Sequence, residues 1–179
     1  GGCCRMPAES RPRALLEHLS GHGVDYVVIG GIAAVLHGSE RNTFDLDVCP
    51  AQDPVNLGAL GKALLAIDAR LRGIEADVPF VPDERTLEGV EILTLDTSLG
   101  PLDLIMRPPG APSYESLCRR AQRMDTGGVA VLVASIDDLI GMKVASGRQK
   151  DREDVERLEA IGLLRRRLPR RATPTADSD

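Results

Sequence analysis

Two aspartates separated by one residue, Asp45 and Asp47, sit in the apolar stretch Asp45-Leu46-Asp47-Val48-Cys49. On an extended strand, residues i and i+2 share a face, about 7 Å apart. Both carboxylates therefore project into one space while Leu46 and Val48 face the core. Like charges so placed repel, and a divalent cation between them removes the penalty, so the alternation predicts an oxygen-lined magnesium site. Upstream, Gly30 and Gly31 follow the apolar run 26–29 and open a helix. Free backbone N–H groups at such a turn attract phosphate. A phosphate cradle followed by a metal-binding strand is what a nucleotide carried as its magnesium complex requires.

Residues 25–49 thus read as strand, glycine turn, short helix, polar loop and second strand. The elements Ile29-Gly30-Gly31, a spacer, then Asp45-Leu46-Asp47-Val48 resemble the signature of the DNA polymerase β-type nucleotidyltransferase superfamily. Within it, GGIAAVLHGSERNTFDLDV is most similar to the AbiEii and MenT branch of toxin–antitoxin nucleotidyltransferases, and the likeness runs over most of residues 24–155. The resemblance implies an α+β fold of the polymerase β type, a mixed, mainly antiparallel sheet with helices packed around it.

Further site residues follow from both sources. Asp103 stands in Pro101-Leu102-Asp103-Leu104-Ile105, and an aspartate inside an apolar strand is costly unless it is paired or ligates a cation. The resemblance makes it the third metal carboxylate, so that Asp45, Asp47 and Asp103 hold two magnesium ions and Asp103 can also act as general base. Arg41, in the loop between glycine turn and metal strand, is either a solvated charge or a triphosphate contact, and Ser39 is counted with it. Asp138-Leu139-Ile140 with Lys143, then Arg148-Gln149-Lys150-Asp151 and Asp154, resemble the second motif of the toxin family. That motif implies active-site roles for Lys143 and Asp151. Thr43 lies two residues before Asp45; a phosphate there would add about two negative charges beside the metal carboxylates. Some relatives are silenced by their antitoxin in this way, which makes Thr43 a candidate regulatory site.

The implied reaction transfers a nucleoside monophosphate, often a pyrimidine, from an NTP to the 3′ end of tRNA, blocking aminoacylation and translation, with a cognate antitoxin as partner. Two alternatives stay open: transfer to a protein or a small molecule, as in antibiotic modification, and a non-catalytic, antitoxin-like nucleotide-binding module.

The remaining elements must position these groups. The chain has 179 residues, enough for one domain with an ordinary core. The expected division is a disordered 1–7, a nucleotidyltransferase domain over 8–164 and a basic, then disordered, tail over 165–179. Leu15, Leu16 and Leu19 suit a first helix; His18 and His22 stand four apart, but Gly21 between them favours a polar helix end over a metal pair. A strand over 25–29 and a helix over 31–36 follow, with His37-Gly38 as its C-cap. Asp53 caps a helix burying Leu57, Leu60, Leu64 and Leu71. Residues 76–87 read as irregular, 90–95 and 102–106 as a hairpin. Ser113 caps a helix to about residue 123, 129–133 form a last strand, and Ser135 with Asp138 opens the next helix, followed by another to about residue 164.

Acidic residues outnumber basic ones 27 to 22, which argues against unspecific coating of nucleic acid but not against a local basic groove such as the arginine cluster at 165–171. Aromatic residues are only 2%, so base stacking on aromatic platforms is not expected. Cys3, Cys4, Cys49 and Cys118 lack metal-site spacing and read as free thiols. No apolar run approaches membrane-span length, and the expected location is the cytoplasm, with no membrane partner.

Overall fold

The computed structural model describes residues 11–74 and 79–168. The sequence expectations for residues 1–10, among them Cys3 and Cys4, and for 169–179 lie outside the described residues.

A seven-stranded sheet organises the chain. Its strands, in chain order, are β1 (Tyr26–Ile29), β2 (Leu46–Pro50), β3 (Arg70–Leu71), β4 (Ile92–Thr97), β5 (Gly100–Ile105), β6 (Gln122–Asp125) and β7 (Ala130–Val133), and in space they run β3-β4-β5-β2-β1-β7-β6. The pairs β1–β2, β3–β4, β4–β5 and β6–β7 are antiparallel, while β1–β7 and β2–β5 are parallel. The sheet is therefore mixed and mainly antiparallel, as expected. Every residue of β1 is buried, which is why its sequence is a continuous apolar run rather than an alternation. In β2 and β5 the alternation is real: Leu46, Val48, Leu102 and Leu104 are sealed in the core, and Asp47 and Asp103 point to the other face.

Among the described residues, seven helices surround the sheet: α1 (Arg11–Gly21), α2 (Gly30–Leu36), α3 (Pro54–Ala66), α4 (Glu84–Leu87), α5 (Tyr114–Arg120), α6 (Ile136–Ser146) and α7 (Asp151–Arg167). Leu15, Leu16 and Leu19 carry α1 into the core, where it meets α3 and β5. The three N-caps read from the sequence are formed: Asp53 accepts from Asn56 N–H, Ser113 from Ser116 N–H and Ser135 from Asp138 N–H. Asn56 does more than start a helix. Its buried amide bonds both backbone groups of Asp25 and the carbonyl of Ala51, tying the start of β1 to the end of β2.

Three expected elements differ. The α3 helix stops at Ala66, because Asp68 turns the chain with φ +50°, and Leu71 lies on β3 rather than on a helix face. α5 ends at Arg120 instead of continuing to about residue 123, and after the capping Ala121 residues Gln122–Asp125 form the edge strand β6, whose pairing is supplied by β7. The irregular stretch 76–87 contains α4, capped by Asp83; its residues 76–78 lie outside the described residues. At the C-terminal side, α7 continues to Arg167, so Arg165 is helical.

Candidate active site

The end of β1, the start of β2 and the middle of β5 bring the sequence-predicted carboxylates together. Asp47 pairs in register with Asp103 across the parallel β2–β5 ladder and with Ile29 across β1–β2. Gly30, the residue after Ile29, has φ +67°, and a Cβ placed on it would overlap the Asp47 carboxylate. The glycine is thus required twice, by backbone conformation and by the close approach of Asp47. A Cβ on Gly31 would lie 3.0 Å from Thr43 Oγ1, so the loop threonine packs directly on the glycine turn. The Gly31 N–H, expected to face a phosphate, instead favours the charged form of the Asp47 carboxylate.

Electrostatics mark the same place. The Asp47 carboxyl is pushed up to about 7 by burial and by the charges of Asp103 and Asp45, against the pull of Gly31 N–H and Lys143. Burial likewise raises Asp103, with Arg72 opposing and Asp45 and Asp96 adding to the rise. Arg72 Nη2 sits 3.2 Å from Asp103 Oδ1. That distance makes an ion pair, but the approach is off the line of a hydrogen bond, and the buried Oδ1 is left without a hydrogen-bond partner. Arg72 also donates to Asp96 Oδ1 and to the Leu95 carbonyl. Among the described residues no three histidine, cysteine, aspartate or glutamate side chains converge as a ready metal cage. The three aspartates interact through their charges but do not yet aim at one point.

Lys143 and Arg41 are gathered by a group that sequence reasoning placed only in the margin. Lys143 Nζ lies 2.8 Å from Asp154 Oδ2 and 3.8 Å from Asp151 Oδ1, and Arg41 Nη1 closes on the same Asp154 oxygen. Asp154 and Asp151 are both buried in the first turns of α7, Asp151 accepting from Ser146 Oγ. Arg41 therefore faces an internal carboxylate rather than the glycine turn, and Asp154, not Asp151, is the principal partner of Lys143. Ser39 is buried, with its N–H bonded to Ala34 O at the end of α2, and is a part of the turn rather than of the cradle.

Two further polar contacts had no sequence signal. Arg72 follows directly on Leu71, the last leucine assigned to the helix that Asp53 caps, and the sequence gives it no role. His37 is buried, with Nε2–H donating to Ala134 O (2.7 Å), while its Nδ1 accepts from Arg165 Nη1 (3.0 Å). Arg165 Nη2 also bonds the His37 carbonyl, and Nη1 reaches Gln122 Oε1. The leading arginine of the basic cluster is thus a clamp between α7, the end of α2 and β6. His18 and His22 lie with ring centroids 4.3 Å apart and planes tilted by 48°, yet His18 Nε2 is engaged with Ala63 O and His22 Nδ1 with His18 O, in keeping with the helix-end reading. A cleft of about 1120 Å³ lies at the opposite end of β1 and β2 against Tyr26, Cys49, Tyr114 and Cys118, and holds none of the three aspartates.

No family model and no curated protein matches the sequence. Among solved structures, an antigenic nucleotidyltransferase-like protein from Paracoccidioides brasiliensis superposes with a TM-score of 0.55 over 89% of this chain and 78% of that one, at 18% identity. The fold is that of a nucleotidyltransferase-like protein. A structure from Thermotoga maritima described as a nucleotidyltransferase is similar over 86% of this chain and 88% of its own, at 14% identity and a TM-score of 0.47. The nucleotidyltransferase-like fold accounts for the mixed sheet and for the helices packed around it. No described helix is long and apolar enough to cross a membrane.

Proposed function

We propose that this chain is a magnesium-dependent nucleotidyltransferase that moves a nucleoside monophosphate, preferably a pyrimidine, from an NTP to the 3′ end of tRNA, as the toxin of a toxin–antitoxin pair. The observation that carries this reading is the register of Asp47 beside Asp103, next to a turn that only glycine can make. The donor set suits a hard divalent cation: three carboxylates offer oxygen ligands, charge repulsion lifts Asp47 and Asp103, and the buried Asp103 Oδ1 lacks a hydrogen bond. Asp45, Asp47 and Asp103 would hold the metal, Asp103 turning from Arg72 to do so. Magnesium held there would offset the charge of the triphosphate and lower the pKa of the attacking hydroxyl.

The protein's own groups divide the remaining work. Gly31 N–H fixes the aim of Asp47, and Gly30 lets the strand and helix approach closely enough for it to do so. The Asp103 carboxylate takes the proton of the acceptor hydroxyl as the hydroxyl oxygen bonds to the α-phosphorus and the bond from phosphorus to the α–β bridging oxygen breaks. Pyrophosphate leaves with its charge met by Lys143 and Arg41, freed from Asp154. A phosphate on Thr43 would press on Gly31 and add negative charge beside the three aspartates; finding Thr43 unmodified in protein co-expressed with an antitoxin would remove that part of the reading.

The test is incubation of the purified protein with magnesium, total tRNA and each α-labelled NTP in turn, with Asp47→Asn as control. Label in tRNA from one preferred NTP, lost in the variant, is the expected result. Label in the protein itself, or none in any acceptor while nucleotide binds, would overturn the tRNA assignment.

A further inference from the structure

The α6 helix ends on Gly147 in the left-handed conformation (φ 63°), and α7 begins four residues later, so the two helices fold back on each other. Between them runs a groove of about 410 Å³. It is lined by the ion pair of Lys143 and Asp151 and by two aliphatic walls, Val144 and Val155, with the exposed Arg148, Arg152 and Glu156 at its rim. Val144 is 64% exposed and both arginines are exposed, whereas Val155 is half-buried. Lys143 joins this groove to the residues of the candidate active site through its ion pair with Asp154, which Arg41 shares.

Each surface has a matching part in a ribonucleotide. The volume is that of a site for one small ligand. Two aliphatic walls accept the face of a base, and guanidinium groups at the rim meet phosphates and can stack on a base plane. In a chain with two Phe, two Tyr and no Trp, aliphatic and guanidinium surfaces are the ones a base can pack on. Two arginines against the single Glu156 carboxylate leave the rim net cationic, which favours a phosphate-bearing ligand over a neutral or cationic one, and the open groove suits a flexible strand end rather than a duplex.

We propose that the groove between α6 and α7 binds the terminal ribonucleotide of a single-stranded RNA 3′ end, its base between Val144 and Val155 and its phosphates at Arg148 and Arg152. The proposal rests on the nucleotidyltransferase reading above and supplies its acceptor site.

The test uses a short fluorescein-labelled single-stranded RNA with a free 3′ hydroxyl, titrated with the full chain and followed by anisotropy without nucleotide or metal. The variants are Val144→Asp and the double variant Arg148→Gln/Arg152→Gln. All three positions are exposed, so the denaturation midpoint should match that of the parent and certify the fold. Both variants should weaken RNA binding several-fold. The double variant should also flatten the plot of log K against log salt by about 1.4, each single-strand phosphate that is no longer neutralised accounting for about 0.7, with binding of a fluorescent NTP unchanged. Parental RNA affinity and salt slope in both variants would overturn the proposal, including the case in which a protein segment occupies the groove instead. Groove-dependent RNA binding without transfer from any NTP would uphold the groove and remove the enzymatic reading, so the two fail separately.

Discussion

Lys143 Nζ lies 2.8 Å from Asp154 Oδ2, and Arg41 closes on the same oxygen, so one buried carboxylate holds both cations. Removing one partner of a buried ion pair leaves an uncompensated charge and costs about 3–5 kcal/mol. Lys143 keeps Asp151 at 3.8 Å and Arg41 is partly exposed, which places Asp154→Asn near the lower end, about 3 kcal/mol. The same variant frees two cations, so inorganic tripolyphosphate should stabilise it more than the parent. Urea midpoints with and without tripolyphosphate check both statements; a midpoint equal to the parent's would remove the account of Asp154 as the hub.

Asp47 and Asp103 are neighbours on paired strands, and Asp47 is raised to about 7 from 3.8. The native state therefore holds a proton that the unfolded chain releases near pH 4. Stability contributed by this group is present at acid pH and is lost as pH rises through about 7. In metal-free solution Asp47→Asn should accordingly be more stable than the parent above pH 7, by at least the ~1.4 kcal/mol equivalent of one unit, with the gain vanishing towards pH 4. Transfer activity should be abolished at every pH. Because the carboxylates interact, the observed step belongs to the group rather than to one residue. A pH-independent difference between variant and parent would contradict the assignment of repulsion to this site.

Gly30 and Gly31 look equivalent in the sequence but not in the structure. At Gly30 an alanine must adopt φ +67° and meet the Asp47 carboxylate, whereas at Gly31 it meets only the side chain of Thr43. Left-handed backbone costs a non-glycine residue about 1–2 kcal/mol before any clash. Gly30→Ala should therefore lose about 2 kcal/mol or more and Gly31→Ala clearly less, a ranking read directly from denaturation midpoints. Equal losses would show that the approach of Asp47 to the turn is not the constraint.

What was legible in the sequence followed local rules. The strand alternation around Asp45 and Asp47, the glycine turn, and the caps Asp53, Ser113 and Ser135 each depend on residues within a few positions of one another. β6 was hidden because Gln122-Arg123-Met124-Asp125 carries no β-branched pattern and owes its strand to pairing with β7. β3 was hidden because Leu71 prolongs the leucine spacing of α3, and only the turn at Asp68 reveals the break. The partners that define the site are non-local: Arg41 meets Asp154 from 113 residues away and Arg165 meets His37 from 128. No periodicity encodes such pairs, which arise from where the packed helices bring their side chains.

Arg165 supplies the last prediction. Burial lowers the pKa of His37, the bond to Ala134 opposes this, and the nearby Arg165 charge lowers it further. The folded state thus prefers a neutral ring whose Nδ1 accepts from the guanidinium. An imidazole with a folded pKa below its ordinary 6.5 contributes stability at neutral pH that is lost as pH falls below 6.5, since the unfolded chain binds the proton first. Asp47 drives stability the opposite way over an overlapping range, so a bulk denaturation curve mixes the two. NMR titration of the ring separates them, because the chain has only three histidines and His37 alone is buried between Ala134 and Arg165. In Arg165→Gln the His37 pKa should rise towards 6.5 without reaching it, burial being the larger cause. The variant should also lose about 1–3 kcal/mol through the bonds to His37 and Gln122. An unchanged His37 titration would mean that the clamp does not set the ring's charge, and a fully restored one that burial does not.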